Sequence, residues 1–404
     1  MKRILAFLYV FIILLTLCSC EKMNFSELYS ALNETIEKEI FLTEDIVEIK
    51  YEEYEIREPQ FTSCYNSLNS KQREFYRSIY SVSQEMTEGF VKIGYNYNGA
   101  DKDVNIAYRA FLYDNPDIFW MPKDYILGTS SKGENQKLAI SFEYKRNGKE
   151  NHYKVTKSEK TKMQEELNSV CEKILRKTEN LSNDYEKEKY INDLLCDNTN
   201  YSETAEFSDT AYGALVKGKA LCEGYSKAFM LLCNKAGIEC ELIVGESENQ
   251  GHMWNRVNID KKLSYVDVTW NDRSEHRTYT YFNITESQLL ADHSLAPLLS
   301  SIGDGSPKSL FNFTQKDCSF TGNTFYEKSG RVLWRDYADT ASKEIEKAKK
   351  KGENYAEFLF KTENIISEFK SDPEKFITNI QNRLTSAVII GYSNERDTVI
   401  LYFE

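Results

Sequence analysis

Three residues able to carry acyl transfer between them fall within one stretch of the chain: Cys222, His252 and Asp267. A thiol supplies the nucleophile, an imidazole moves the proton, and a carboxylate fixes the imidazole's tautomer. No other stretch brings these three residue types together. A free thiol is a poor nucleophile at neutral pH, so the segment around Cys222 must give it a reason to ionise.

The positioning elements are readable from spacing. From Cys222 to Ala236, apolar residues at Tyr225, Phe229, Leu232, Cys233 and Ala236 recur at helical intervals, and Gly237 stands where a helix would stop. Gly213 and Gly218 bracket a segment that can turn into that helix. Cys222 therefore falls in a first turn, where unpaired backbone N–H groups and the positive end of the dipole favour a thiolate and can hold a developing oxyanion. Gly224 leaves room for a backbone or ligand to approach. The run Ile238 to Val244 predicts a strand, Glu246 to Gly251 a loop, and His252 the start of the next strand. A turn centred near Asp260 folds this strand against Tyr265–Trp270, which carries Asp267 within direct or diagonal reach of His252.

Each residue also has a bland explanation. Most cysteines simply pack, and a histidine beside a tryptophan is commonly structural. With only four histidines in the chain, one falling in this context carries weight. There is no Cys-x-x-Cys and no His-x-x-x-His, so no metal site is expected, and no organic cofactor is implied.

The segments Gly218–Ser226, Gly251–Asn255 and Val266–Asn271 resemble, in that order, the core of the transglutaminase-like superfamily. The resemblance implies a papain-like α+β fold, with the cysteine on a helix packed against an antiparallel sheet that carries His and Asp. It implies Cys222 as nucleophile, His252 as general base and acid, and Asp267 as the orienting carboxylate. Trp254 and Trp270 fit the same pattern as substrate-binding pocket walls, with sheet core as the equal alternative. Asp184–Leu195 is similar to the helix that precedes the core in bacterial members, and Tyr281–Thr285 with Asp292 and His293 to their trailing segment. More loosely, Asp114–Trp120 resembles the upstream domain of bacterial lipoproteins of this group. A second oxyanion donor has no evident candidate, and the family resemblance does not imply protein crosslinking.

At the N-terminus, Met1-Lys2-Arg3 precedes about fourteen mostly apolar residues from Ile4 to Leu17, the shape of a signal peptide and short for a membrane span. Leu17-Cys18-Ser19-Cys20 resembles a bacterial lipobox, which implies cleavage before Cys20, lipid on its thiol, and a domain anchored at the outer face of the cell membrane; ordinary secretion and an uncleaved anchor are the alternatives. A net charge of −12, with no basic patch interleaved with aromatics, argues against a nucleic-acid partner. Beyond Cys20 and Cys222 the mature chain keeps Cys64, Cys171, Cys196, Cys233, Cys240 and Cys318, whose spacing shows no disulfide framework. Cys171, Cys196 and Cys233 fall on apolar helix faces as packed thiols.

The 404 residues are expected to divide into a signal peptide (1–19), a tether and N-terminal helix (20–44), an α+β domain (45–158), the transglutaminase-like domain (159–305) and a C-terminal α+β unit (306–404). Helices are expected near Ser70–Met86, up to Asp114, and through Met163–Ile174, with a strand at Leu138–Tyr144. In the C-terminal unit, strands are expected near Thr324–Trp334 and Tyr355–Phe360, then a helix broken at Pro373 and a hairpin of Ala387–Ser393 with Thr398–Phe403. The charge-rich run Lys343–Gly352 is expected to be solvated.

These features favour a surface-tethered cysteine acyl-transfer enzyme acting on peptide or protein substrates of the cell envelope, with hydrolysis ahead of transamidation. The rival is a binding or adhesion lipoprotein that retains the fold without turnover. A redox thiol protein is disfavoured because no resolving cysteine lies near Cys222.

Overall fold

The computed structural model describes residues 40–42, 46, 63–87, 89–130, 136–142, 145–147, 152–273, 276–301 and 311–404. The expected signal peptide, Cys20, the tether helix and the boundary near Ser306 lie outside the described residues. Among the described residues no helix is long and apolar enough to cross a membrane.

The N-terminal part has β1 (Ile40–Leu42), α1 (Ser70–Glu85), β2 (Val91–Tyr95), α2 (Ala100–Asp114), β3 (Ile126–Ser130) and β4 (Lys137–Ser141). Asn69 and Gln72 start α1 with a reciprocal capping box, each side chain taking the other's backbone N–H. The four strands form one sheet in the order β1-β3-β4-β2. Phe75, Ile79 and Val82 of α1 pack with Val104, Tyr108 and Phe111 of α2.

The site is built on α3 (Lys157–Thr178), α4 (Asp184–Asn198), α5 (Cys222–Lys235), β5 (Cys240–Ser247), β6 (Gln250–Ile259), β7 (Lys262–Val266), α6 (Val268–Asn271), β8 (Phe282–Ile284), α7 (Glu286–Leu289) and β9 (His293–Leu295). The sheet runs β8-β7-β6-β5-β9, with antiparallel neighbours throughout. The apolar face of α5, including Tyr225, Phe229 and Leu232, is fully buried in a core continuous with that of the N-terminal part. Helix α5 ends before Gly237, which takes a φ of 86°. Asp260 and Lys261, both at positive φ, make the two-residue turn from β6 to β7.

Two local expectations give way here. The loop expected over Glu246–Gly251 is mostly strand, because Glu248 and Asn249 alone make the turn, both at positive φ. The strand expected through Trp270 stops at Val266, because the Asp267 carboxylate accepts the backbone N–H of Trp270 and turns the chain into α6.

The C-terminal unit has its own core. It contains β10 (Val332–Leu333), α8 (Tyr337–Lys350), β11 (Tyr355–Phe360), α9 (Glu363–Ser371), α10 (Pro373–Gln381), β12 (Ile389–Glu395) and β13 (Thr398–Phe403), with sheet order β10-β11-β13-β12. The break at Pro373 and the closing hairpin match expectation. Two details do not. Most of Thr324–Trp334 is not strand, since Thr324 caps a short helix at Phe325–Ser329. The charge-rich run lies largely within α8, whose Ala341, Ile345 and Ala348 are fully buried while its lysines face outward.

Candidate active site

Helix α5 is locked to the sheet one turn after Cys222. The Ser226 hydroxyl donates to the Met253 carbonyl (2.8 Å), and the Asn255 amide donates to the Ser226 carbonyl (3.0 Å). These two bonds tie the cysteine's helix to the strand that carries His252. A chain crossing at Ser208 fixes the helix start, with the Leu221 N–H donating to the Ser208 carbonyl (2.9 Å). A Cβ on Gly224 would lie 2.1 Å from that carbonyl oxygen, so the space left by this glycine is filled by backbone. Among the described cysteines, none of which is in a disulfide, only Cys222 is not buried.

His252 Nε2 lies 2.6 Å from Asp267 Oδ2, and the Cys222 thiol lies near enough to the ring to favour its charged form. With Nε2 engaged by the acid, Nδ1 is the nitrogen left for the thiol. The expected trio is thus assembled: Cys222 in the first turn of α5, His252 on β6, and Asp267 as the N-cap of α6. Asp267 is itself held by its own N–H, which donates to the Tyr281 carbonyl (2.9 Å). Helix α6 is anchored by Asn271, whose amide donates to Asn192 (3.1 Å) and accepts from the Tyr281 N–H (3.0 Å).

The electrostatics follow from burial against pairing. Burial opposes a charged His252, but the Asp267 carboxylate, then the contact with Cys222, outweigh it and push the ring up to about 10. Burial likewise opposes a charged Asp267, yet His252 and then His293 hold its carboxyl well below the usual carboxylate range. Next to Cys222, burial of Glu223 is outweighed by Lys123 (2.6 Å) and Lys227 (2.7 Å), which keep it ionised.

Trp254 and Trp270 both border the site, in different ways. Trp254 is fully buried in the sheet, 5.8 Å ring to ring from His252, and forms core under the site rather than a wall open to substrate. Its indole N–H has no hydrogen-bond partner, and its ring leaves no space for a Cβ on Gly245. Trp270 is partly buried, with its ring 6.1 Å from His252.

Sequence reasoning missed His293 as a member of the site. Its Nε2 lies 3.2 Å from Asp267 Oδ2 and its Nδ1 2.5 Å from Asp292 Oδ1, inside a box made by Trp254, Trp270 and Tyr281. The available signal was an acid–histidine pair in a chain with four histidines, read only as a trailing segment. Tyr201 is a neighbour of Cys222 that the sequence did not single out. It is 53% exposed on a two-residue strand paired with Lys219–Ala220, and its phenol is pushed up to about 12 by partial burial and then by the charge of Cys222.

His252, Asp267 and His293 bring three potential metal-ligand atoms within 4.8 Å of one another. Two ligand atoms on one tetrahedral zinc stand about 3.3 Å apart for bonds of about 2.0 Å. The 2.6 Å contact between His252 and Asp267 is shorter, so the trio fits a hydrogen-bonded relay and not a metal cradle.

Residues 172–270 match the model of the transglutaminase-like superfamily. No curated protein matches the chain. Solved structures similar to parts of it include a transglutaminase (16% identity, TM-score 0.27, covering 38% of this chain and 46% of that one). Others are a candidate cysteine protease from Cytophaga hutchinsonii (16%, 0.23, covering 26% and 37%) and a candidate protease from Parabacteroides distasonis (15%, 0.21, covering 36% and 30%). The chain thus spans less than half the length of each of these structures. The residues that match this family model include Cys222, His252 and Asp267.

Proposed function

We propose that the chain is a cysteine acyl-transfer enzyme that cleaves peptide or amide bonds, tethered at the outer face of a bacterial cell membrane by lipid on Cys20. The observation that carries the reading is the chain of contacts from Cys222 through His252 to a buried, ionised Asp267. The Cys222 thiolate attacks the carbonyl carbon, and the C=O electron pair moves onto oxygen beside the free N–H groups of the first turn of α5. As the C–N bond breaks, the His252 imidazolium gives its proton to the leaving amine, and a thioester remains. His252 then takes a proton from water, the resulting hydroxide attacks the thioester, and the acid leaves with the thiolate restored. An amine in place of water would give transamidation; water at molar concentration favours hydrolysis unless the site excludes it. Substrates of this reading are peptides or proteins of the cell envelope.

The test is to incubate the chain with envelope peptide and protein fractions, quench in acid, and map adducts by mass spectrometry. An acyl adduct on Cys222 that decays with peptide release, and is absent from Cys222→Ala, supports the reading. Unmodified Cys222 with unchanged fractions opposes it. Incorporation of labelled fatty acid in cells, lost in Cys20→Ser, tests the tether.

A further inference from the structure

The acid arm of the site does not end at Asp267. His293 reaches Asp267 with one ring nitrogen and Asp292 with the other, so its ring has a carboxylate at each end. Asp292 is held in turn by the Tyr281 hydroxyl, which donates to Oδ2 (2.9 Å), and by Arg396, whose Nε lies 3.5 Å from the same oxygen. Arg396 belongs to the C-terminal unit, at the turn between β12 and β13, where it takes a φ of 55°. Its side chain is only 17% exposed, its guanidinium lies 5.2 Å from the centre of the Tyr281 ring, and it also donates to the Gln288 carbonyl. The hairpin tip is fixed on its own sheet, since the Phe360 N–H donates to the Asp397 carbonyl (2.8 Å).

A second arm leaves the same unit. Glu357 on β11 is 1% exposed, and its carboxylate accepts from the Tyr279 N–H (2.8 Å) and the Thr280 hydroxyl (2.9 Å). The next residue, Tyr281, supplies the carbonyl that takes the N–H of Asp267. Two side chains of a unit with a separate core therefore grip the two supports of the triad's acid, its backbone and its carboxylate.

We propose that the C-terminal unit positions the acid of the triad, with Arg396 and Glu357 as positioning residues that act through Asp292–His293 and through Tyr281. The catalytic geometry is then complete only when this unit is docked, and whatever moves the β12–β13 hairpin changes the reactivity of Cys222. The proposal rests on the acyl-transfer reading above.

The test is the pH profile of Cys222 alkylation in the full chain, solubilised in detergent, with iodoacetamide limiting and every cysteine mapped. Arg396→Gln and Arg396→Lys are compared with the unaltered chain, and near-UV circular dichroism confirms that each variant is folded. Outer-shell partners of metal ligands are typically worth 10–100-fold, and on the low end of that scale Arg396→Gln is expected to slow the Cys222 reaction near neutral pH about tenfold and displace its pH profile. Arg396→Lys should recover part of the rate. Glu357→Gln, which keeps only one of the two acceptor oxygens, should fall between. A folded Arg396→Gln whose rate and profile match the unaltered chain overturns the proposal. If the unaltered chain shows no selective reaction at Cys222, the acyl-transfer reading itself fails and the proposal falls with it.

Discussion

Asp267 and Glu188 are both buried carboxylates in the same domain, and their surroundings drive them in opposite directions. Asp267 faces two histidines and the Trp270 N–H, and it is held ionised against burial. Glu188, fully buried on α4, accepts from the Asn283 amide (2.7 Å) with one oxygen, and its other oxygen has no hydrogen-bond partner. Burial pushes its carboxyl up to about 8, so at neutral pH it is largely the neutral acid. Burial alone therefore makes an uncharged structural acid, and it takes cationic partners to make a charged one that can orient a base. Glu223 is an intermediate case, with lysines supplying the opposing charge.

The sharpest way to break the comparison is to neutralise each acid in turn. Asp267→Asn should lower Cys222 reactivity and acyl transfer by about 100-fold or more, since it removes the anion opposite His252. Glu188→Gln should leave both unchanged, because it preserves an uncharged group at the same place. Parallel alkylation rates check this pair, and an equal loss in both variants would end the distinction.

Stability against pH separates them next. A carboxyl raised from its usual value to about 8 binds a proton in the folded chain that the unfolded chain has released, so Glu188 costs stability as pH rises through that interval. The cost approaches about 5 kcal/mol by about pH 9, and Glu188→Gln should flatten the slope. Urea unfolding between pH 5 and 9 measures it, and equal slopes in the two chains would contradict it.

The His252–Asp267 pair has the opposite signature at the acid side. Asp267, depressed, contributes stability above its unfolded value and loses it as pH falls. His252, raised to about 10, contributes fully below its unfolded value near 6.5 and loses the contribution as pH rises through about 10. The stability difference between the unaltered chain and His252→Ala should thus be largest between about pH 4 and 6.5 and shrink on either side. A difference that grows steadily from pH 6.5 to 10 would reverse the assignment.

The smallest effect is expected at Glu223. Lys123 is half-exposed and Lys227 remains as a second partner, so Lys123→Ala should cost less than about 1 kcal/mol in thermal unfolding. A loss of several kcal/mol would place the Lys123 contact among the main supports of the site.

Much of the central site was legible because its signals are local. The helix at Cys222 follows from apolar spacing and Gly237, and the hairpin from the polar run at Asp260. Asp267 was legible as a residue but not as a helix cap, because Val266–Trp270 alternates like a strand and the cap bond forms only on folding. His293 was not legible as part of the site, because its role depends on β9 pairing beside β5, a contact 46 residues from His293 back to Ser247 in sequence. The burial of α8 was hidden by its lysines, which occupy one face and mask the alanine and isoleucine stripe on the other. The links from Arg396 and Glu357 connect two units with separate cores, and no spacing rule spans such a distance.

The most direct test of the central claim is the pH dependence of Cys222 alkylation by a limiting haloacetamide, with each cysteine mapped and His252→Ala run in parallel. The account predicts selective labelling of Cys222 over the buried thiols, already present below the pH at which an ordinary thiol reacts and lost in the His252 variant. Labelling of Cys222 that follows an ordinary thiol's profile and is indifferent to His252 would contradict it.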